Sequence, residues 1–331
     1  MSKMTHLQTI SSIVATAHPG RKILGHSAVL LPITNEGRPD YDGFAHLLNK
    51  TFDVGLVPAV NMDTGYVNLL SHAEREEVLR LTQSVAAGRN YIAGAFVQDQ
   101  YGDPLNLYDV AFDQIQAYGG TPILFQSDAL SHLGDRELIT LHQQLAVNHP
   151  AFFIFELGEM FVPFGRIYPI EVVRELMQID AIKGMKHSSL RRDLELERLA
   201  LRLTTRPDFL VLTGNDLAID MVMYGSDYLL GLSAFHPEAF ALRDRLWEHN
   251  QAGFFELNDA LQYLGAFAFR PPVPAYKHSC AQFLKLREEI DCDTPHSDGM
   301  RRPDSDVPIL AEILVRIEQA MQVQTSLAPQ A

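Results

Sequence analysis

The chain has 331 residues, 47% of them apolar and 21% charged, enough for one large domain with an ordinary core. A net charge of −14, with no run rich in Lys and Arg, argues against nucleic acid and anionic membrane surfaces as partners. Two cysteines, Cys280 and Cys292, are too few for a disulfide framework, and neither a secretory leader nor an apolar run of membrane-spanning length is visible, so a cytoplasmic protein is expected.

Taken in chain order, short apolar runs alternate with segments of helical period. The runs at 23–33, 55–62, 91–98, 121–127, 152–157, 181–187, 209–214 and 228–234 are nearly continuous in Val, Ile, Leu, Phe and Ala, as strands buried on both faces should be. Between them, Ser71 and Glu74 form a capping box ahead of Val78, Leu79, Leu81 and Val85. Asp135 begins a helix carrying Leu138, Leu141 and Leu145, and Leu190, Leu194, Leu199, Leu201 and Leu203 mark another after the sixth run. No Gly-rich phosphate loop follows the first run, which disfavours an open doubly wound sheet. Eight alternations predict an α/β fold, a (β/α)₈ TIM barrel, with chemistry at the C-terminal ends of its strands.

After about residue 250 the alternation stops. Helices are expected over 254–269, 276–289 and 309–323, with a rigid break at Pro271-Pro272-Val273-Pro274. The expected organisation is an N-terminal extension (1–22), the barrel (23–249), a C-terminal helical extension (250–323) and a loose tail (324–331).

The sixth run carries the clearest chemical candidate. In Ile182-Lys183-Gly184-Met185-Lys186-His187, the period of two sends Ile182, Gly184 and Lys186 one way and Lys183 the other. At a strand's C-terminal end and facing inward, Lys186 is placed to attack a carbonyl, and Gly184 one layer below is expected to leave room for its stem or for a ligand. A lysine that snorkels to solvent is the plainer alternative from the local pattern. In Asn61-Met62-Asp63-Thr64-Gly65-Tyr66, a strand end meets a helix start, where amides and the Thr64 hydroxyl can hold a carboxylate and Gly65 permits close approach. An ordinary turn is the alternative there too.

Residues 182–189 resemble the Schiff-base lysine strand of the dihydrodipicolinate synthase/N-acetylneuraminate lyase family. Other segments fall in the family's order: Ala28 to Ile33 with Asp40 or Asp42, Thr64-Gly65 with Ser71 and Glu74, Thr213-Gly214-Asn215-Asp216, Tyr224-Gly225-Ser226, Pro274, Lys277 and Arg302-Pro303. The resemblance implies a barrel with helical extension, usually tetrameric, in which Lys186 forms an imine with a 2-keto acid and no cofactor is needed. It implies that Asp63, Thr64 and Gly65 bind the substrate carboxylate or an equivalent oxygen, with Phe155 and Gly214 also lining the substrate site.

Two departures stand out. The family's Gly-Thr-Thr-Gly-Glu becomes Met62-Asp63-Thr64-Gly65-Tyr66, which puts a negative charge where a carboxylate would bind. The proton-relaying tyrosine of the fifth strand is matched by Phe155, whose ring moves no proton. Tyr168, Glu156, Tyr66 and His187 are the candidate replacements. The fourth strand also lacks its tyrosine; Ser127 and Asp128 there read as a turn at a helix start or as a contact to a substrate hydroxyl. Authentic dihydrodipicolinate synthesis is therefore not expected. The expected function is a Schiff-base lyase, an aldolase or dehydratase, acting on a small 2-keto acid, possibly sugar-derived, within a homotetramer or dimer. The alternatives are a barrel that binds a metabolite with little catalysis, or metal-assisted enolisation drawing on Asp63, Glu156, His187 and His236, although no metal-ligand motif is present.

Overall fold

The computed structural model describes residues 17–327. Eight parallel strands close into a barrel in chain order: β1 (Gly25–Ala28), β2 (Val57–Val60), β3 (Ile92–Ala95), β4 (Thr121–Leu124), β5 (Phe152–Leu157), β6 (Ile182–Ser188), β7 (Leu210–Thr213) and β8 (Asp227–Leu230). Among the described residues the helices are α1 (Tyr41–Asp53), α2 (His72–Ala86), α3 (Pro104–Ala117), α4 (Asp128–Ser131), α5 (Asp135–Asn148), α6 (Ile170–Met177), α7 (Arg192–Thr205), α8 (Pro237–Glu248), α9 (Gly253–Ala268), α10 (Tyr276–Leu286) and α11 (Asp306–Leu327). None is long and apolar enough to cross a membrane. The expected (β/α)₈ architecture is therefore the observed one.

By compactness the chain divides into two units. Gly88–Leu229 holds β3 to β7 and most of β8, with α3 to α7. Its strands pair in parallel, with Ala95 beside Leu124, Ile123 beside Phe153, and Phe155 beside Lys186; the β5–β6 register shifts once, between Phe152 (beside Ile182) and Phe153 (beside Gly184). Phe112 of α3 packs on Phe152 of β5 at 5.1 Å between ring centroids, joining helix layer to sheet. The other unit comprises Pro19–Ala87 and the residues from Leu230 onward. Its helices begin where local chemistry dictates: Asp40 caps α1 through Gly43 N at 2.9 Å, and the Ser71–Glu74 box caps α2. Each such cap contributes about 1 kcal/mol. Phe235, Phe269, Phe283 and Tyr276 form an aromatic cluster under α9 and α10. Arg302 closes the C-terminal end of α9 by donating to the carbonyls of Ala268, Arg270, Pro271 and Pro272, a cation at the negative end of a helix.

Several expectations about element boundaries need correction. The run at 23–33 is buried almost throughout, yet only Gly25–Ala28 is strand. Val29 still donates to Ala59 O, and beyond it burial continues to Ile33 without a ladder, apart from an isolated bridge from Ile33 to Pro39. The helix after β6 starts at Arg192, so Leu190 precedes it and is exposed, as is Leu203. Glu195 and Arg198 take inner positions beside Leu196 and Leu199, because buried partners await them. At the C-terminus α11 continues through Leu327, past Gln324 where the tail was expected to begin; 328–331, like 1–16 of the N-terminal extension, lie outside the described residues.

Candidate active site

Lys186 lies in the C-terminal half of β6, and its strand neighbour on β5 is Phe155. The Lys186 ammonium nitrogen stands 4.4 Å from the centre of the Phe155 ring. One residue on, the same register pairs Glu156 with His187. These two point the other way, into the layer between sheet and helices, where Arg198 of α7 meets them. Lys186 and Phe155 therefore face the barrel interior. The layer below pairs Phe153 with Gly184.

Gly184 does not serve the lysine, as the strand pattern suggests. A Cβ there would lie 2.6 Å from Leu210 O and 3.1 Å from the Phe153 ring, so the residue is glycine to admit its neighbours on β7 and β5. Gly214, just after β7, is the position that makes room for Lys186. A Cβ at Gly214 would sit 2.7 Å from Lys186 Cε, 3.1 Å from its Cγ and 2.1 Å from Ser188 Oγ. The Ser188 hydroxyl donates to Gly214 O at 3.3 Å, which ties the end of β6 to the turn after β7.

Behind the sheet, Glu156 is the centre of a buried network. Its carboxylate contacts His187 Nδ1 at 2.7 Å and accepts from Arg198 at 2.8 and 3.1 Å and from the Tyr168 amide at 2.8 Å. Burial alone pushes this carboxyl up, but the hydrogen bond from His187 and the charges of His187 and Arg198 hold it down at about 2. The second nitrogen of His187 meets Ser189 Oγ at 2.8 Å. Burial pushes the Tyr168 hydroxyl up, against a hydrogen bond from Gln126. Three of the four candidate relays in the sequence, Glu156, His187 and Tyr168, are thus joined to one another. The network pins β5 to β6 from the face opposite Lys186. It also holds the long segment after β5, helped by Gln126, which donates to Phe155 O and Arg166 O and accepts from Arg166 N. Ser127 caps α4 through Leu130 N, the turn reading of that residue.

In the other unit, Asp63–Gly65 forms a single 3₁₀ turn after β2, closed by Tyr66 in the left-handed region at φ 60°. The charge of Asp63 is met by Lys277 Nζ at 2.9 Å and the Tyr276 hydroxyl at 3.0 Å. The Thr64 hydroxyl is buried and 2.8 Å from the same Tyr276 hydroxyl. Sequence reasoning missed Tyr276 as a partner of this loop; the pattern held no signal for it, since 212 residues separate it from Thr64. A Cβ at Gly65 would stand 3.4 Å from Val29 O, an ordinary contact. Tyr66, the fourth candidate relay, is buried with its ring 5.8 Å from that of His296 and beneath Lys277, and burial pushes its hydroxyl up. His236 caps α8 and contacts Glu238 at 3.1 Å. Among the described residues no group of three His, Cys, Asp or Glu is arranged to hold a metal ion.

A scan of protein-family models gives no match, and no curated protein matches this sequence. Solved structures do match in fold. A dihydrodipicolinate synthase from Thermotoga maritima superposes with a TM-score of 0.75 at 17% identity, over 90% of this chain and 99% of its own. A prophage protein of the dihydrodipicolinic acid synthase family from E. coli K12, in complex with pyruvate, gives 0.76 at 15% identity, over 89% and 98%. The dihydrodipicolinate synthase of Acinetobacter baumannii complexed with pyruvate gives 0.73 at 15%, over 90% and 99%.

Proposed function

We propose, for a chain that has the fold of the dihydrodipicolinate synthase family, that it is a Schiff-base lyase acting on a 2-keto acid through Lys186. The observation that carries this is the inward placement of Lys186 on β6, with Gly214 reserved for its stem and Phe155 beneath its nitrogen. The pyruvate held by two fold neighbours supports the substrate class.

In this reading the neutral amine of Lys186 adds to the C2 carbonyl, forming a carbinolamine. Loss of water gives a protonated imine, which takes up the electron pair of a breaking C3–C4 or C3–H bond to give an enamine; the enamine is then protonated at carbon 3, or expels the carbon 4 hydroxyl as water, and is an imine again. Hydrolysis then returns the free lysine and the product carbonyl. Phe155 cannot move a proton, but its face stabilises a cation, and the iminium nitrogen inherits the position of the ammonium above it. Thr64 and the amides of the 63–65 turn are assigned to the substrate carboxylate. The Lys277 and Tyr276 contacts answer the objection that Asp63 would repel it. A homo-oligomer, dimer or tetramer, belongs to the same proposal.

Phe155 in place of a hydroxyl-bearing residue favours a second reading, a barrel that binds a keto acid with little turnover. Sodium borohydride treatment with pyruvate and longer 2-keto acids, followed by peptide mass mapping, tests both. The expected result is a reduced adduct on Lys186 that is absent from Lys186→Ala. An adduct without turnover favours the binding reading; no adduct with any acid of a broad panel sinks the imine altogether.

A further inference from the structure

The wall leading to Lys186 is aromatic. On β5 the Phe155 ring lies under the lysine nitrogen, and the Phe125 ring, just past β4, meets it edge to face at 5.2 Å. Just past β3, Phe96 meets Phe125 in the same way at 6.2 Å. The three rings follow the strand register, since Ala95 pairs with Leu124, Ile123 with Phe153 and Phe155 with Lys186. Phe96, at the far end of the row, is partly exposed, as is Lys186 at the near end.

The polar side chains that follow Phe125 and Phe155 in the chain are already engaged. Gln126 uses both ends of its amide on backbone groups of Phe155 and Arg166, and Ser127 caps α4 while contacting the Tyr108 hydroxyl. Glu156 is turned to the opposite face and bonded to His187 and Arg198. A polyhydroxylated substrate tail laid along this wall would lose its water and find carbon in exchange, a poor trade for every hydroxyl. An aryl tail gains on both counts: its area leaves water, and ring edges and faces are already set in the edge-to-face pattern that a further ring extends.

We infer that the Phe96–Phe125–Phe155 wall is a specificity site for an aryl-bearing 2-keto acid, selecting it over a sugar-derived one. The inference rests on the Schiff-base reading of Lys186 and narrows its substrate class. Carbon 2 of the acid sits at Lys186, and the substituent beyond carbon 3 runs over Phe125 toward Phe96.

The test uses the full-length protein and three probes trapped with borohydride: pyruvate, benzylidenepyruvate, and 2-keto-3-deoxygluconate. The adduct mass on Lys186 is followed against probe concentration. The aryl probe is expected to reach half-trapping at a concentration at least about tenfold below that of the polyhydroxylated one, the effect of roughly one favourable ring contact with its buried area. In Phe125→Ala the ratio between the two should fall toward unity, and Phe96→Ala, at a partly exposed position that folding tolerates better, should lower it as well. Equal trapping of the two tails, or preference for the polyhydroxylated one, overturns the aromatic site while leaving the imine standing. Absence of any adduct, pyruvate included, overturns the underlying imine reading and this inference with it.

Discussion

Two glycines, one on β6 and one just after β7, make opposite predictions for the same substitution. In Gly214→Ala the new methyl meets Ser188 Oγ at 2.1 Å and Lys186 Cε at 2.7 Å, both of them side-chain atoms that can yield. The serine rotates; the lysine stem must retreat by about 1 Å to reach an ordinary carbon–carbon separation. Folding stability should change by no more than about 1 kcal/mol, while a displacement of that size at the reacting nitrogen lowers the rate about 100-fold. In Gly184→Ala the methyl meets Leu210 O at 2.6 Å, which is backbone and held in the β6–β7 ladder. Overpacking there costs about 2 kcal/mol, and with an unfolding entropy of about 0.7 kcal/mol per degree for this length, Tm should fall by about 3 °C. The assay is paired: the rate of borohydride-trapped adduct on Lys186 with pyruvate, and thermal unfolding, for both variants. A Gly214→Ala protein that traps at the native rate, or a Gly184→Ala protein as stable as the parent, would refute the assignment of the two glycines.

Other expectations follow from the buried network and the 63–65 turn. Arg198→Met strands the Glu156 carboxylate, and breaking a buried pair should cost about 3–5 kcal/mol in urea unfolding. Because the folded Glu156 carboxyl is held near 2 and an unfolded one is near 4.5, its contribution is complete above pH 4.5 and lost as pH falls toward 2. His142, buried and pushed down to about 4, gives stability that is complete above its ordinary 6.5 and drains between 6.5 and 4; His142→Leu should flatten that part of the stability–pH curve in urea melts. Thr64→Val should raise the pyruvate concentration for half-trapping about tenfold, as loss of a hydrogen bond to a charged oxygen does, and an unchanged value would remove Thr64 from carboxylate binding.

Much of the fold was legible because a barrel strand buried on both faces writes itself as a short apolar run, and helix starts write themselves as caps. Ser71 with Glu74 announced α2, and Leu138, Leu141 and Leu145 announced the inner face of α5. The apolar run reports burial and not hydrogen bonding, which is why 29–33 reads as strand and is not. Helical period failed at α7 for a related reason: Glu195 and Arg198 are charged yet buried, and their partners Thr213 and Glu156 lie on other elements.

By itself the sequence determined the eight-fold alternation, the strand that carries Lys186, and a ring without a hydroxyl at Phe155. These depend on residue identity and on a period of two or three and a half, both local. The tertiary structure alone decided which glycine shelters the lysine, which face Glu156 and His187 take, and which residue answers the charge of Asp63. Each of those is a contact between residues from 26 to 214 positions apart, and such contacts exist only once strands lie side by side and distant helices pack against them.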